Sequence, residues 1–228
     1  MMVSMVKFRK ITLLLLVLAL GWVNKTTAQN YYVEDKSTFF GGVSFGSTFS
    51  QLDGDNFAGY RKLGLTGGAI VYAEIAPKFA PSLEFLYTQK GGQSKKNADQ
   101  NAVNVRVNNY KVNLNYVEIP VLFNYFDKRK SHFGVGASYS QLISQNEQAT
   151  TTPQIPDSLY SEEKYPFNKY DINGIASVNL HLTKGFFLNI RFQYSLLSVR
   201  DNFHPDLGRK GAARQSNNFW AFRLMYIF

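Results

Sequence analysis

Residues 218–228 read NFWAFRLMYIF. Counted back from Phe228 by twos, Tyr226, Leu224, Phe222 and Trp220 are all large and apolar. The other parity, Ile227, Met225, Arg223, Ala221 and Phe219, is mixed. A period of two marks a β-strand, here with one uniformly greasy face. The alternation recurs upstream. In FFLNIRFQYSL (186–196), Leu188, Ile190, Phe192, Tyr194 and Leu196 oppose Asn189, Arg191, Gln193 and Ser195. In residues 170–182, Tyr170, Ile172, Ala176, Val178, Leu180 and Leu182 oppose Asp171, Asn173, Ser177, Asn179 and His181. YKVNLNY (110–116) sets Tyr110, Val112, Leu114 and Tyr116 against Lys111, Asn113 and Asn115.

The other end has a different plan. Residues 1–28 carry Lys7, Arg9 and Lys10, then an apolar run from Ile11 to Leu20, then small residues at Thr26 and Ala28. This is the layout of a secretory signal peptide, expected to be cleaved after Ala28. The run is short for an uncleaved anchor, since a spanning helix needs about 20 apolar residues. Without the leader's four bases, 21 basic residues face 16 acidic ones, a net charge of +5. There is no Cys, which excludes disulfides, thiolate metal sites and cysteine catalysis. No second long apolar run follows, so no membrane helix is expected after residue 28.

Alternation suits a soluble sandwich as well as a membrane barrel. Two features favour the barrel. Large aromatics sit near the ends of the apolar faces, as in a membrane girdle. The polar faces are rich in small residues (Gly42, Ser44, Gly46; Gly134, Gly136, Ser138, Ser140), which suits a cramped lumen. Strands are expected at 39–50, 65–76, 79–91, 109–126, 131–145, 168–182, 186–199 and 216–228. Between them, tight turns at 77–78, 127–130 and 183–185 alternate with long polar segments at 51–64, 92–108, 146–167 and 200–215. Short periplasmic turns alternating with long extracellular loops are the outer-membrane barrel pattern. The expectation is therefore all-β: an eight-stranded antiparallel transmembrane barrel over 39–228 in a bacterial outer membrane, preceded by a periplasmic tail at 29–38. Trp220, Phe222, Leu224, Tyr226 and Phe228 form the lipid face of the strand that closes it. The final aromatic also resembles the C-terminal signal that outer-membrane assembly machinery recognises.

LEFLYTQKGG (83–92) followed by NYVEIPVLFNYF (115–126) resembles the PorT-type outer-membrane β-barrel family of Bacteroidetes-like bacteria. Glu84, Tyr87, Lys90 and Gly91 match its first motif; Tyr116, Glu118, Ile119 and Pro120 match its second. The resemblance implies an eight-stranded barrel without a defined activity. The family's founding member is linked to a secretion system and gliding, so the alternative role is an accessory of a secretion or envelope-assembly machine.

Pro120 cannot donate to a ladder, and a closed barrel has no free edge for it. A bulge at Tyr116, Val117 and Glu118, just before Pro120, is expected. It would also explain why the apolar parity is even up to Tyr116 and odd from Ile119 through Val121, Phe123 and Tyr125. The bland alternative starts the strand at Val117.

Catalysis is not expected. The histidines, His132, His181 and His204, are scattered, and Ser177 and Asp171 lie too far along the strand from His181 to form a triad. No metal, cofactor or nucleic-acid partner is expected. Eight strands enclose a space that side chains just fill, so passive conduction is not expected either. Glu84 and Glu118 lie on strands opposite Arg191 and Arg223 at similar depth, which predicts a luminal ion cluster. The remaining candidates for function are the loops. Their bases, Arg61, Lys62, Lys95, Lys96, Lys164, Arg209, Lys210 and Arg214, are ordinary solvated charges or contacts for lipopolysaccharide phosphates. The expected role is structural or surface-binding.

Overall fold

The computed structural model describes residues 38–54, 59–94, 98–99, 106–152, 165–201 and 214–228. The expected leader and most of the expected tail lie outside them, as do His204 and the loop bases Lys95, Lys96, Lys164, Arg209 and Lys210. The regular structure among the described residues is all strand. In chain order these are β1 (Phe39–Asp53), β2 (Lys62–Ala73), β3 (Phe79–Ser94), the two-residue β4 (Ala98–Asp99), β5 (Arg106–Phe126), β6 (His132–Thr152), β7 (Tyr170–Thr183), β8 (Phe186–Ser195) and β9 (Ser216–Ile227).

The eight long strands close into an antiparallel ring in the order β1, β2, β3, β5, β6, β7, β8, β9. β9 joins β1 through a ladder from Gly42↔Ile227 to Asp53↔Ser216, so no edge meets lipid. On β9, Trp220, Phe222, Leu224 and Tyr226 face outward, as does Phe228 just after it, while Phe219, Ala221, Arg223 and Met225 are buried in the lumen. Glycine lets the wall bend sharply. A Cβ on Gly46 would stand 2.0 Å from the carbonyl oxygen of Phe222, and one on Gly136 2.0 Å from that of Val121. No side chain fits there.

Outward aromatics mark the membrane band. Phe79, Tyr125, Phe133, Phe186, Tyr226 and Phe228 lie at the periplasmic end; Phe49, Tyr87, Tyr139, Tyr170, Tyr194 and Trp220 lie toward the mouth. On β3, β5 and β8 the band takes about nine residues, close to what a tilted spanning strand requires. β5 and β6 are 21 residues each and continue past it, paired to their ends at Arg106↔Thr152. At the rise of a tilted strand, this ribbon stands roughly 25 Å above the band.

The structure corrects the expectations in this region. Tyr110, Val112, Leu114 and Tyr116 do not face outward: all four are fully buried. The even parity of β5 points inward from Tyr110 to Asn124 without a break, so there is no bulge at Tyr116, Val117 and Glu118. What changes is the surroundings. Below Val117 the outside is lipid and the inside polar; above it the outside is water and the inside an apolar cap. The extra residue lies on the partner strand. Asn115 pairs Ser144 and Tyr116 pairs Leu142, which leaves Ile143 of β6 as the bulge. Pro120 is met differently. The β3–β5 ladder runs to Leu83↔Val121 and resumes, in the same register, at Leu86↔Glu118. The proline removes rungs without shifting the strands. Lys62, expected in a loop, opens β2 and points inward. β8 ends at Ser195 rather than 199, because the chain turns in over the mouth to an Arg200↔Gln215 bridge.

Candidate functional site: a layered luminal plug

The inward side chains stack in layers from the periplasmic end to the mouth. The floor is aromatic. Tyr72 stacks on Phe40 at 5.0 Å, and Phe126 stacks on His132 at 4.2 Å. His132 is 3.0 Å from the Tyr72 hydroxyl through Nε2 and 3.2 Å from the Lys130 carbonyl through Nδ1. With Nδ1–H donating to that carbonyl, Nε2 accepts from Tyr72, and both polar tips are satisfied.

Above the floor Glu84 holds two guanidinium groups. Arg191 Nη2 donates to Glu84 Oε1, and Arg223 Nη1 donates to Glu84 Oε2 at 3.0 Å. Arg223 Nε also donates to Asn189 Oδ1 at 2.8 Å, and Asn189 donates to Asn179 at 2.6 Å. Three of the four residues expected to cluster are thus together. Glu118 stands apart from the arginines. It registers opposite Leu86, two residues nearer the mouth than Glu84, and ion-pairs with Lys90 at 2.5 Å. Thr88 and Ser140 donate to it, both at 2.8 Å. Lys90 lies 4.8 Å from the ring centres of both Tyr116 and Phe219, and 3.9 Å from Asp171. Asp171 in turn accepts from Ser195 at 2.7 Å and from Asn217 at 3.2 Å.

The roof is apolar: Leu52, Tyr110, Val112, Leu114, Tyr116, Phe167 and Val199 pack as one cluster. Through it passes a last ion pair. Arg200 forks onto Glu147, with Nη1 3.1 Å from Oε1, and its Cζ sits over the Phe167 ring, 3.6 Å from the ring centre. Tyr110 donates to the same carboxylate at 2.6 Å.

Among these buried ion pairs the charges balance. Glu84 against Arg191 and Arg223 leaves +1. Lys90 against Glu118 and Asp171 leaves −1. Arg200 and Glu147 cancel. Each side chain is at most 3% exposed. A narrow lumen with a net buried charge would be costly; two adjacent layers of opposite excess remove that cost.

The closed antiparallel ring carries an outward apolar band and an inward polar stack, and the sequence matches the family described as outer membrane protein beta-barrel domain over residues 28–201. The chain belongs to that family. As an outer membrane beta-barrel protein it is placed in the bacterial outer membrane. No curated protein matches it in sequence. Similar solved structures include Ail, the attachment invasion locus protein of Yersinia pestis (10% identity, TM-score 0.42, covering 83% of this chain and 98% of that one). Neisserial surface protein A is also similar (9%, TM-score 0.45, 84% and 98%), as is OprG from Pseudomonas aeruginosa (10%, TM-score 0.41, 83% and 94%).

Within this outer membrane beta-barrel, four of the eight residues that carried the family resemblance fall in the plug, Glu84, Lys90, Tyr116 and Glu118, whereas Tyr87 and Ile119 face outward. Sequence reasoning missed Lys90, Asp171, Glu147 and Arg200 as partners. Lys90 and Asp171 were legible, since they share the inward parity of Glu84 and Asn173. Glu147 and Arg200 were not. One is turned inward by the Ile143 bulge, the other by the chain leaving β8.

Proposed function

We propose that this barrel neither conducts nor catalyses, and acts through what it presents at the cell surface. The observation that carries this reading is the filled lumen, closed from aromatic floor to apolar roof and neutral among its buried ion pairs. Eight strands leave only as much interior as side chains fill. The presented element is the β5–β6 ribbon above the band, with the exposed bases Arg61 and Arg214 beside the mouth. Phosphates of surface lipopolysaccharide are the partner that such bases suit. The outward aromatics of β9 suit recognition by the outer-membrane assembly machinery.

Single-channel recording in planar bilayers tests the reading. The native barrel is expected to show no stable conductance steps. Stable steps from the native barrel would sink the proposal. The PorT-like alternative, an accessory of a secretion or envelope-assembly machine, is supported by the two motifs at 84–91 and 116–120. A stoichiometric envelope protein recovered by cross-linking would favour it.

A further inference from the structure

The three tight turns at the periplasmic end carry a charge excess that the plug does not use. Lys78 follows β2, Lys128, Arg129 and Lys130 link β5 to β6, and Lys184 links β7 to β8; all five are exposed. Among the described turn residues only Glu74 and Asp127 oppose them. The backbone sharpens the point. Lys130 (φ 64°) and Lys184 (φ 43°) are the non-glycine residues in the left-handed region among those described. That region is disfavoured for any side chain with a Cβ, and such hairpin positions ordinarily take Gly or Asn. Lysine stands there at both turns. Just above lies the periplasmic aromatic girdle, with Lys78 Nζ 5.9 Å from the Tyr125 ring. In a membrane whose hydrocarbon ends at that girdle, these bases stand at the depth of the inner-leaflet phosphates.

We infer that this basic rim is a binding surface for anionic phospholipid headgroups of the inner leaflet, and selects them over zwitterionic ones. Charge complementarity commits the surface to lipid: the bases are spread over three turns around the circumference, which suits several headgroups in a ring rather than one compact ligand.

The test uses the refolded barrel in phosphatidylcholine vesicles containing spin-labelled phosphatidylglycerol or spin-labelled phosphatidylcholine. The native protein is expected to hold the anionic label at least about threefold more strongly, with the preference lost at high salt. In K128S/R129S/K130N/K184N the ratio is expected to fall to about one. That variant should fold, because Asn suits both left-handed positions; the heat-dependent shift in gel mobility checks it. The extracellular control R61S/R214S should keep the native ratio. No selection by the native barrel overturns the inference, as does selection that survives in the turn variant. So does loss of selection in the control alone. Unchanged lipid selection together with loss of a periplasmic protein cross-linked to these lysines would assign the rim to that protein instead.

Discussion

Glu84 is the residue on which the lower luminal layer depends. It is the acid shared by Arg191 and Arg223, so removing it leaves two buried guanidiniums without their shared counter-charge. Glu84→Leu is expected to lower the unfolding free energy by about 3–5 kcal/mol. Arg191→Met should cost less, because Glu84 keeps Arg223. The triple replacement Glu84→Leu, Arg191→Met and Arg223→Met should recover part of the loss, since the apolar layer carries no unpaired charge but leaves the layer above it at −1. Partners should follow the observed layers. Urea unfolding in vesicles is expected to show coupling above about 1 kcal/mol for Arg191 with Glu84 and for Lys90 with Glu118. Arg191 with Glu118 should be additive within about 0.5 kcal/mol. The reverse pattern would mean the layers are assigned wrongly. On the floor, Tyr72→Phe leaves His132 Nε2 without its donor and is expected to cost about 1–3 kcal/mol in the same assay.

At the scale of elements, the Ile143 bulge sets which way the upper half of β6 faces. Side chains alternate, so deleting one residue moves every later side chain to the other face. Deletion of Ile143 should therefore turn Glu147 out of the roof and strand Arg200 in it. The expected cost is about 3 kcal/mol, read as a lower temperature for the gel-mobility shift. Adding Arg200→Met to the deletion should restore part of that loss, whereas Arg200→Met in the native chain should destabilise, because Glu147 then loses its cation. A deletion with no effect, or one made worse by Arg200→Met, would place the bulge elsewhere. The tight strand crossings predict a second outcome. Gly46→Val drives a side chain into the Phe222 carbonyl of β9, so the barrel should fail to reach its heat-resistant fast-migrating form.

For the whole molecule, topology is the quantity to check. Cysteines replacing Gln148 and Asp201 are expected to react with an impermeant reagent on intact cells, and those replacing Lys128 and Lys184 only after lysis. Inverted labelling would overturn the orientation. Much of this architecture was legible in the chain alone. The two-residue period of 186–196 and 218–228 set the strands and their faces, and the alternation of short and long connections set the even number and the ends. Both are local properties, carried by neighbours along one strand. Which luminal charges meet was not local. Glu84 and Glu118 share a face and nearly a depth, yet an offset of two residues sends the first to the arginines and the second to Lys90. The phase change near Tyr116 was visible in the sequence, but its cause was not. Alternation says that two faces differ; it does not say what lies beyond each. Only the assembled barrel places Tyr110–Tyr116 above the lipid, where water takes the outside and the apolar side chains turn in to form the roof.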